Sequence, residues 1–331
     1  MSDAMHDIHD TPALHRLLRR HGTHSLAYAT LQPDMRYWGH ENVGYAAYRK
    51  SLGQYTFLGD PICPKHALDA FLSELITAFP DSLFMQIQWS AAQRLKQLGH
   101  YVTPVGVENE IDTGTFSLAG KRKADLRHYR NKARASNIQV CEECDSVTTR
   151  AALRPVCDAW LHLKSWLAHE LEFLARPFQG EPEPGTRIFT SRIDDTIVAF
   201  VVLDPIYDNN MVTGYTVSLL RHLPDAPEGA LDIIILKAIQ QCAAEGIPHV
   251  NLGVSPFHHI EFLARESGYG AMPVYWLYRT LRHWGDPIYH FRGLSFHKGR
   301  YRAREIPVYT AVPGPVSLWS LYTSARACRM L

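Results

Sequence analysis

The residues whose type and spacing best suit chemistry lie between Lys121 and Arg134, where KRKADLRHYRNKAR sets seven lysines and arginines against a single acid. At about 100° per residue, Lys123, Arg127, Arg130 and Arg134 fall within an arc of roughly 60° on one helical face. Leu126, Tyr129 and Ala133 form the adjacent apolar stripe. Such a helix docks by its stripe and presents four cations about one turn apart, each able to reach a separate phosphate. A solvated charged face is the commoner outcome for a run of this kind. The acids at i+4 that a salt-bridged surface helix carries are missing here, which favours an anion-binding ridge.

The other clusters are weaker. Cys141-Glu-Glu-Cys144 has metal-ligand spacing, but no second pair follows, and in a strand residues i and i+3 face opposite ways. His258-His259 follows Ser255-Pro256-Phe257 in a loop, and the sequence identifies no third ligand, so no metal site is assigned. There is no Walker loop, GxGxxG or GxSxG. The acyl-CoA loop of ordinary N-acetyltransferases is also absent. A strand ending at Arg221 is followed by His-Leu-Pro-Asp-Ala-Pro-Glu before Gly229 opens a helix. That proline-bearing loop is ill suited to cradling a pyrophosphate. No cofactor is implied.

The elements that must position these residues belong to a chain of 331 residues, 46% hydrophobic, enough for two cores. The formal net charge is +1, so the basic segment, at +6, leaves −5 for the rest. That suits a localised anion site better than a generally basic protein. Six cysteines build no disulfide framework and read as reduced and intracellular. The polar start MSDAMHDIHD is not a signal peptide, and no apolar run approaches the roughly 20 residues of a membrane span. The expectation is a cytoplasmic protein, with peripheral contact at the inner membrane surface compatible with it.

Along the chain, a disordered tail over 1–11 is expected to give way to a helix over 12–20 and a strand meander over 25–60. A helix over 65–79, a strand over 83–89 and a short helix capped by Ser90 follow, then strands over 101–105 and 107–111. After the basic helix comes mostly helix over 147–175. Strands over 187–192, 196–204 and 211–220 turn at Ile193-Asp194-Asp195 and Asp208-Asn209-Asn210. An amphipathic helix over 229–244, a strand over 249–253, a helix over 261–267 and a strand over 306–312 complete the pattern. Residues 316–331 as a helix would align Leu318, Leu321 and Tyr322, either packed on the domain or lying on a membrane surface with Arg326 snorkelling. The element order repeats, so the fold class expected is α+β, with two tandem domains joined by the basic helix. The N-terminal domain spans 12–117, the linking helix 118–137 and the C-terminal domain 138–331.

Taken in order, several segments resemble the soluble C-terminal domain of the aminoacyl-phosphatidylglycerol synthases, the phosphatidylglycerol lysyltransferase family. Gly59-Asp60-Pro61 is similar to that family's Gly-Asp-Pro turn. The run from Leu118-Ala-Gly-Lys through Leu126-Arg127 to Asn131-Lys-Ala is similar to its basic inter-domain helix. Trp160-Leu161, the Gly229-x-x-Asp232 helix opening, Asn251-Leu-Gly-Val-Ser-Pro256, and Gly293-Leu-Ser-Phe-His-Lys298-Gly-Arg300-Tyr301 with Pro307-Val-Tyr309 continue the match. The resemblance implies two tandem acetyltransferase-like (GNAT) domains. It also implies transfer of an aminoacyl group from aminoacyl-tRNA to a hydroxyl acceptor, either a phosphatidylglycerol-like lipid or a small molecule, as in standalone relatives. The ridge Lys123, Arg127, Arg130 and Arg134 would then track tRNA phosphates. Arg221, Lys298 and Arg300 are candidate catalytic cations near the tRNA terminal phosphate or a developing oxyanion. Asp232 and Ser218 are candidates for the donor ammonium or the acceptor, and Asn251 and Ser255 for substrate binding at a strand end. A plain helix-N-terminal acid is the competing reading of Asp232, and a strand-end turn that of Asn251. One position departs from the family: its Asp-Leu-Met-Arg is here Ser218-Leu219-Leu220-Arg221, which implies altered donor or acceptor specificity. Two other functions stay open, a GNAT-type transferase using another acyl donor such as acyl-CoA and a non-catalytic module binding tRNA or an anionic surface.

Overall fold

The computed structural model describes residues 5–163, 173–284, 291–314 and Arg326. The first half contains β1 (His6–Asp7), α1 (Thr11–His21), β2 (Arg36–His40), β3 (Gly44–Ser51), β4 (Gln54–Leu58), α2 (Leu68–Ala78), β5 (Leu83–Ile87), α3 (Trp89–Gln97) and β6 (His100–Asp112). The basic helix α4 (Ala124–Ala135) leads to β7 (Gln139–Glu143), α5 (Val147–Leu163), β8 (Arg187–Ile193), β9 (Thr196–Asp208), β10 (Met211–His222) and α6 (Ala230–Ala244). The described residues continue through β11 (His249–Pro256), α7 (Ile260–Ser267), α8 (Met272–Trp284), α9 (Phe291–Gly299) and β12 (Arg304–Pro313).

The twelve strands among the described residues form one sheet in the order β1-β2-β3-β4-β5-β12-β6-β11-β10-β9-β8-β7. Each half repeats an antiparallel meander, a crossover helix and a parallel strand, giving the parallel pairs β4–β5 and β10–β11. A parallel pair needs such a helical crossover, and α2 and α6 supply it. The closing strands are exchanged: β6 pairs with β11 of the second half, while β12 returns beside β5. β6 and β12 then pair with each other from Arg304↔Glu110 to Pro313↔His100. The α+β class is as expected. The halves, however, share one continuous sheet, where two domains on either side of a linking helix were expected. The basic helix is no free spacer. Leu126 and Ala133 share a buried cluster with Ile234 and Ala238 of α6, and Lys132 pairs with Glu228 at 2.6 Å. Gly229 permits this contact: its φ is +88°, and a Cβ there would overlap the Tyr129 carbonyl.

β9 explains its own apolar sequence. Ala199, Val201 and Leu203 face the cluster under α6, while Phe200 and Val202 face Leu153 and Val156 of α5. A strand covered on both faces reads as a continuous apolar run. Several expectations shift. Residues 100–112 form one strand, with β12 paired along residues 100–110 and β11 along its far end. α3 starts at Trp89 after Gln88, without a side-chain cap. Within the expected tail, His6–Asp7 pairs with β2 and Ile8 is buried. α8 and α9 fill a stretch for which no element was expected. Residues 164–172 of the expected long helix, and 316–331 apart from Arg326, lie outside the described residues.

Candidate active site

The parallel pairing of β10 and β11 is short, running from Gly214↔His249 to Thr216↔Asn251. Beyond it the strands part, and both are bulged there: β10 between Val217 and Leu219 against β9, β11 between Asn251 and Val254 against β6. At the second bulge Gly253 has φ +77°, the left-handed backbone that glycine adopts without strain. The Asn251 side-chain oxygen accepts the Gly253 N–H at 2.7 Å and fixes the turn. Lys298, from the end of α9, reaches into this wedge and donates from Nζ to the Val254 carbonyl at 2.7 Å. Burial pulls its pKa down to about 7, against the opposing charge of Glu108.

Behind the wedge lies a buried polar cluster. Glu108 of β6 accepts from Ser25 Oγ at 2.5 Å and from Asn251 Nδ2 at 2.9 Å. Burial raises the pKa of Glu108, and those two hydrogen bonds oppose the rise. Asn109 donates to Ser255 Oγ at 2.8 Å. Asp60 follows β4, close to where that strand leaves β5, and accepts the Gln88 N–H at 2.9 Å. Its pKa is pushed up to about 7 by burial. His24 Nε2 lies 3.1 Å from the Asp60 carbonyl oxygen, and burial brings the imidazole down to about 4, so it is neutral. The site therefore holds an amine and a carboxyl that both titrate near neutrality, between the two parallel junctions of the sheet.

Of the residues singled out from sequence, Asn251, Ser255 and Lys298 come together here. Asp232 and Arg300 form a separate group at the start of α6. Asp232 accepts from Tyr301 Oη at 2.9 Å and lies 3.3 Å from His297 Nε2 and 3.4 Å from Arg300 Nη2. Burial pushes the pKa of Asp232 upward, but His297, Arg300 and Tyr301 outweigh it and hold the carboxyl below its usual range. The guanidinium of Arg300 stacks on Tyr129 of the basic helix at 4.2 Å. Arg221 stacks on Trp160 at 3.7 Å. Ser218 Oγ lies 3.1 Å from the Val202 carbonyl and 2.9 Å from Asp204 Oδ1. A carboxylate thus adjoins position 218 from β9. It is held by Arg176 through two hydrogen bonds of 2.9 and 2.7 Å, and Arg176 also pairs with Glu183.

The basic ridge is only partly outward-facing. Lys123 Nζ sits 3.8 Å from the centre of the Phe116 ring, and Arg127 donates to the Leu118 and Gly120 carbonyls at 2.6 and 2.7 Å. Arg130 bonds its neighbour Asn131, and Arg134 is exposed. An open cleft of 580 Å³ is lined by Asn109, Asp125, Arg282, Phe296, Arg300 and Arg302, among others. Asn109 links it to the buried cluster. Glu108, Asp60, His24, Ser25 and Asn109 carry no site assignment from sequence. The available signal is Glu108 in Val107-Glu108-Asn109-Glu110-Ile111, a run of polar residues in a strand that tertiary structure covers.

A protein-family profile described as Phosphatidylglycerol lysyltransferase, C-terminal matches residues 15–312. The phosphatidylglycerol lysyltransferase of Bacillus subtilis (strain 168) is 24% identical over 300 residues, covering 88% of this chain and 34% of that protein. That of Staphylococcus xylosus is 23% identical over 311 residues, covering 92% and 36%. The chain therefore spans about a third of the length of these relatives. Among solved structures, L-PGS from Bacillus licheniformis superposes with a TM-score of 0.78 at 22% identity, covering 96% of this chain and 97% of that one. The C-terminal domain of a putative lysylphosphatidylglycerol synthetase from Agrobacterium fabrum superposes with a TM-score of 0.74 at 19% identity, covering 95% of each. The fold is shared with both.

Proposed function

This chain belongs to the phosphatidylglycerol lysyltransferase C-terminal family, and from that premise we propose that it moves an aminoacyl group from aminoacyl-tRNA to an acceptor hydroxyl. The acceptor is a phosphatidylglycerol-like lipid or a small molecule, and each half of the sheet is read as GNAT-like. The observation that carries the reading is the Lys298 amine in the wedge between β10 and β11, with a pKa near 7. An aminoacyl ester is already activated, so the work is positioning and proton transfer. The neutral amine takes the proton of the acceptor hydroxyl as its oxygen bonds the ester carbonyl carbon. As the carbon–oxygen bond to the tRNA ribose breaks, the same proton goes to the ribose oxygen, and no covalent enzyme intermediate forms. Arg282, Arg300 and Arg302 around the cleft supply positive charge for the phosphates of a tRNA 3′ end. The names of the relatives support a lipid acceptor. No helix among the described residues is long and apolar enough to cross a membrane, and in this reading a cytoplasmic protein meets lipid at the membrane surface.

The test incubates the protein with a pool of charged tRNAs, in the presence of phosphatidylglycerol vesicles or of small hydroxyl acceptors. Consumption of one aminoacyl ester with a matching acylated product is expected. No turnover with either acceptor class, together with no salt-sensitive tRNA binding, would overturn the reading.

A further inference from the structure

The histidine pair that has no third ligand in sequence has one in three dimensions. β11 ends at Pro256, and the chain turns into α7 through Phe257 and His259, whose φ values are +58° and +56°. Side-chain-bearing residues rarely adopt this backbone, and such outliers concentrate at functional sites. The turn stacks the imidazoles of His258 and His259, with centroids 3.8 Å apart and planes at 29°, and aims both at Glu305. His259 Nδ1 lies 2.9 Å from Glu305 Oε2, and His258 Nε2 lies 3.6 Å from Oε1. One donor atom from each of the three residues falls within 4.8 Å of the others. Glu305 is carried on β12 in register with Asn109 of β6, so a rigid strand sets its position. Among the described residues, no lysine or arginine forms an ion pair with it.

Tetrahedral zinc with bonds of about 2.0–2.1 Å to nitrogen and oxygen spaces its donor atoms roughly 3.3 Å apart. His259 Nδ1 lies close to that spacing from one carboxylate oxygen and His258 Nε2 from the other. With one donor per residue the three lie within 4.8 Å of one another, so a bound ion draws the trio together by up to about 1.5 Å. Two imidazoles and one carboxylate suit zinc and its first-row neighbours, whereas magnesium and calcium favour all-oxygen sites. All three residues line the 580 Å³ cleft, alongside Arg282, Arg300 and Arg302. Three protein ligands leave a tetrahedral ion one exchangeable position. We propose that His258, His259 and Glu305 form a binding site for a zinc-class divalent ion at the wall of this cleft. Its open position faces the cleft and takes an oxygen ligand, either water or an anionic group such as phosphate. The ion would add its charge to that of the three arginines where an anion enters.

The experiment uses the full chain stripped of metal. Titration with Zn²⁺ by calorimetry is expected to give one equivalent with a Kd at or below about 10 µM. Co²⁺ is expected to produce the visible absorption of a four-coordinate N/O site, abolished by Zn²⁺ and unaffected by Mg²⁺. Glu305→Gln keeps the size and hydrogen-bonding capacity of the side chain, and loss of a direct ligand should weaken binding at least about 100-fold. His259→Ala should do the same, with metal-free melting curves checking that both variants are folded. Because the chain has eighteen histidines and, at Cys141 and Cys144, two of its six cysteines at ligand spacing, a Cys141→Ser/Cys144→Ser variant must retain the equivalent. No stoichiometric binding, binding that survives Glu305→Gln, or loss of the site in the cysteine variant would each overturn the proposal and leave the trio as a hydrogen-bonded His–Glu cluster.

Discussion

Replacing Lys298 by Met separates what the amine costs the fold from what it contributes to the reaction. In the unfolded chain the amine has its ordinary pKa of 10.5; in the folded protein burial brings it to about 7. That gap is worth roughly 5 kcal/mol against the folded state. Below pH 7 both states hold the proton and the whole penalty is felt. Between about 7 and 10.5 only the unfolded state holds it, so wild-type stability climbs with pH by about 1.4 kcal/mol per unit. Above 10.5 both states are neutral and the penalty is gone. Methionine fills similar space without a charge but removes the 2.7 Å bond to the Val254 carbonyl, a loss of about 1–3 kcal/mol. Lys298→Met should therefore be more stable than wild type by about 1–3 kcal/mol at pH 7, with the two curves crossing near about pH 9. Under the proposed function its transfer rate should fall about 10²- to 10⁴-fold. The wild-type rate should drop about tenfold per pH unit once the pH is well below 7. Urea unfolding at pH 6, 7, 8 and 9, run alongside the transfer assay, measures both. A variant less stable than wild type at pH 7, or a stability difference that does not change with pH, would refute the depressed amine and the acid–base role built on it.

Three further variants have distinct expected outcomes. Under the proposed function, Arg130→Ala/Arg134→Ala should weaken tRNA binding and flatten its salt dependence while changing stability by less than about 0.5 kcal/mol. Arg127→Ala, which removes bonds to two carbonyls at the helix start, should cost about 1 kcal/mol in a melting experiment; equal stability of the two variants would contradict that division of the ridge. Ser218→Asp would set a second carboxylate within hydrogen-bonding distance of Asp204. Like charges this close raise the pKa of the pair, so the variant should be destabilised by about 1–3 kcal/mol at pH 8 and by less at pH 5, where protonation relieves the repulsion. Unfolding curves that do not separate further at the higher pH would show that Arg176 absorbs both charges.

Local patterning makes the second meander legible. β8, β9 and β10 follow from alternating or continuous apolar runs with acidic and asparagine turns between them, and α6 from its period and its opening glycine. α8 is harder to read. It carries Tyr275, Trp276 and Tyr278, aromatic types that favour strands, and leaves Trp276 and Leu277 exposed, which blurs the helical face. The strand exchange has no local signature at all. Whether β12 lies beside β5 or beside β11 changes none of its side-chain alternation, because side chains point out of the sheet and not toward the paired strand. Only long-range pairings decide it: Tyr309↔Ile87 sets β12 beside β5, and Asn251↔Glu110 sets β6 beside β11.

The same exchange explains why the site is half legible. Asn251, Ser255 and Lys298 lie in motifs that follow strand or helix ends, where a sequence reading looks for chemistry. Glu108 lies mid-strand and becomes a site residue only because β6 crosses to the second half, bringing its carboxyl to Asn251 and the Lys298 amine. Asp60 reaches the neighbourhood of Glu108 from the other parallel junction, and repulsion between the two carboxyls adds to the rise in its pKa. Ser218 is a milder case of the same effect. Counted along β10, a charge is missing there; counted across to β9, Asp204 supplies the carboxylate and Arg176 neutralises it. Under the proposed function, a donor ammonium arriving at position 218 therefore meets a hydroxyl whose acidic neighbour is already paired. Charge selection at this position thus depends on the Asp204–Arg176 pair, a feature of the adjacent strand that comparison of the β10 motif alone does not register.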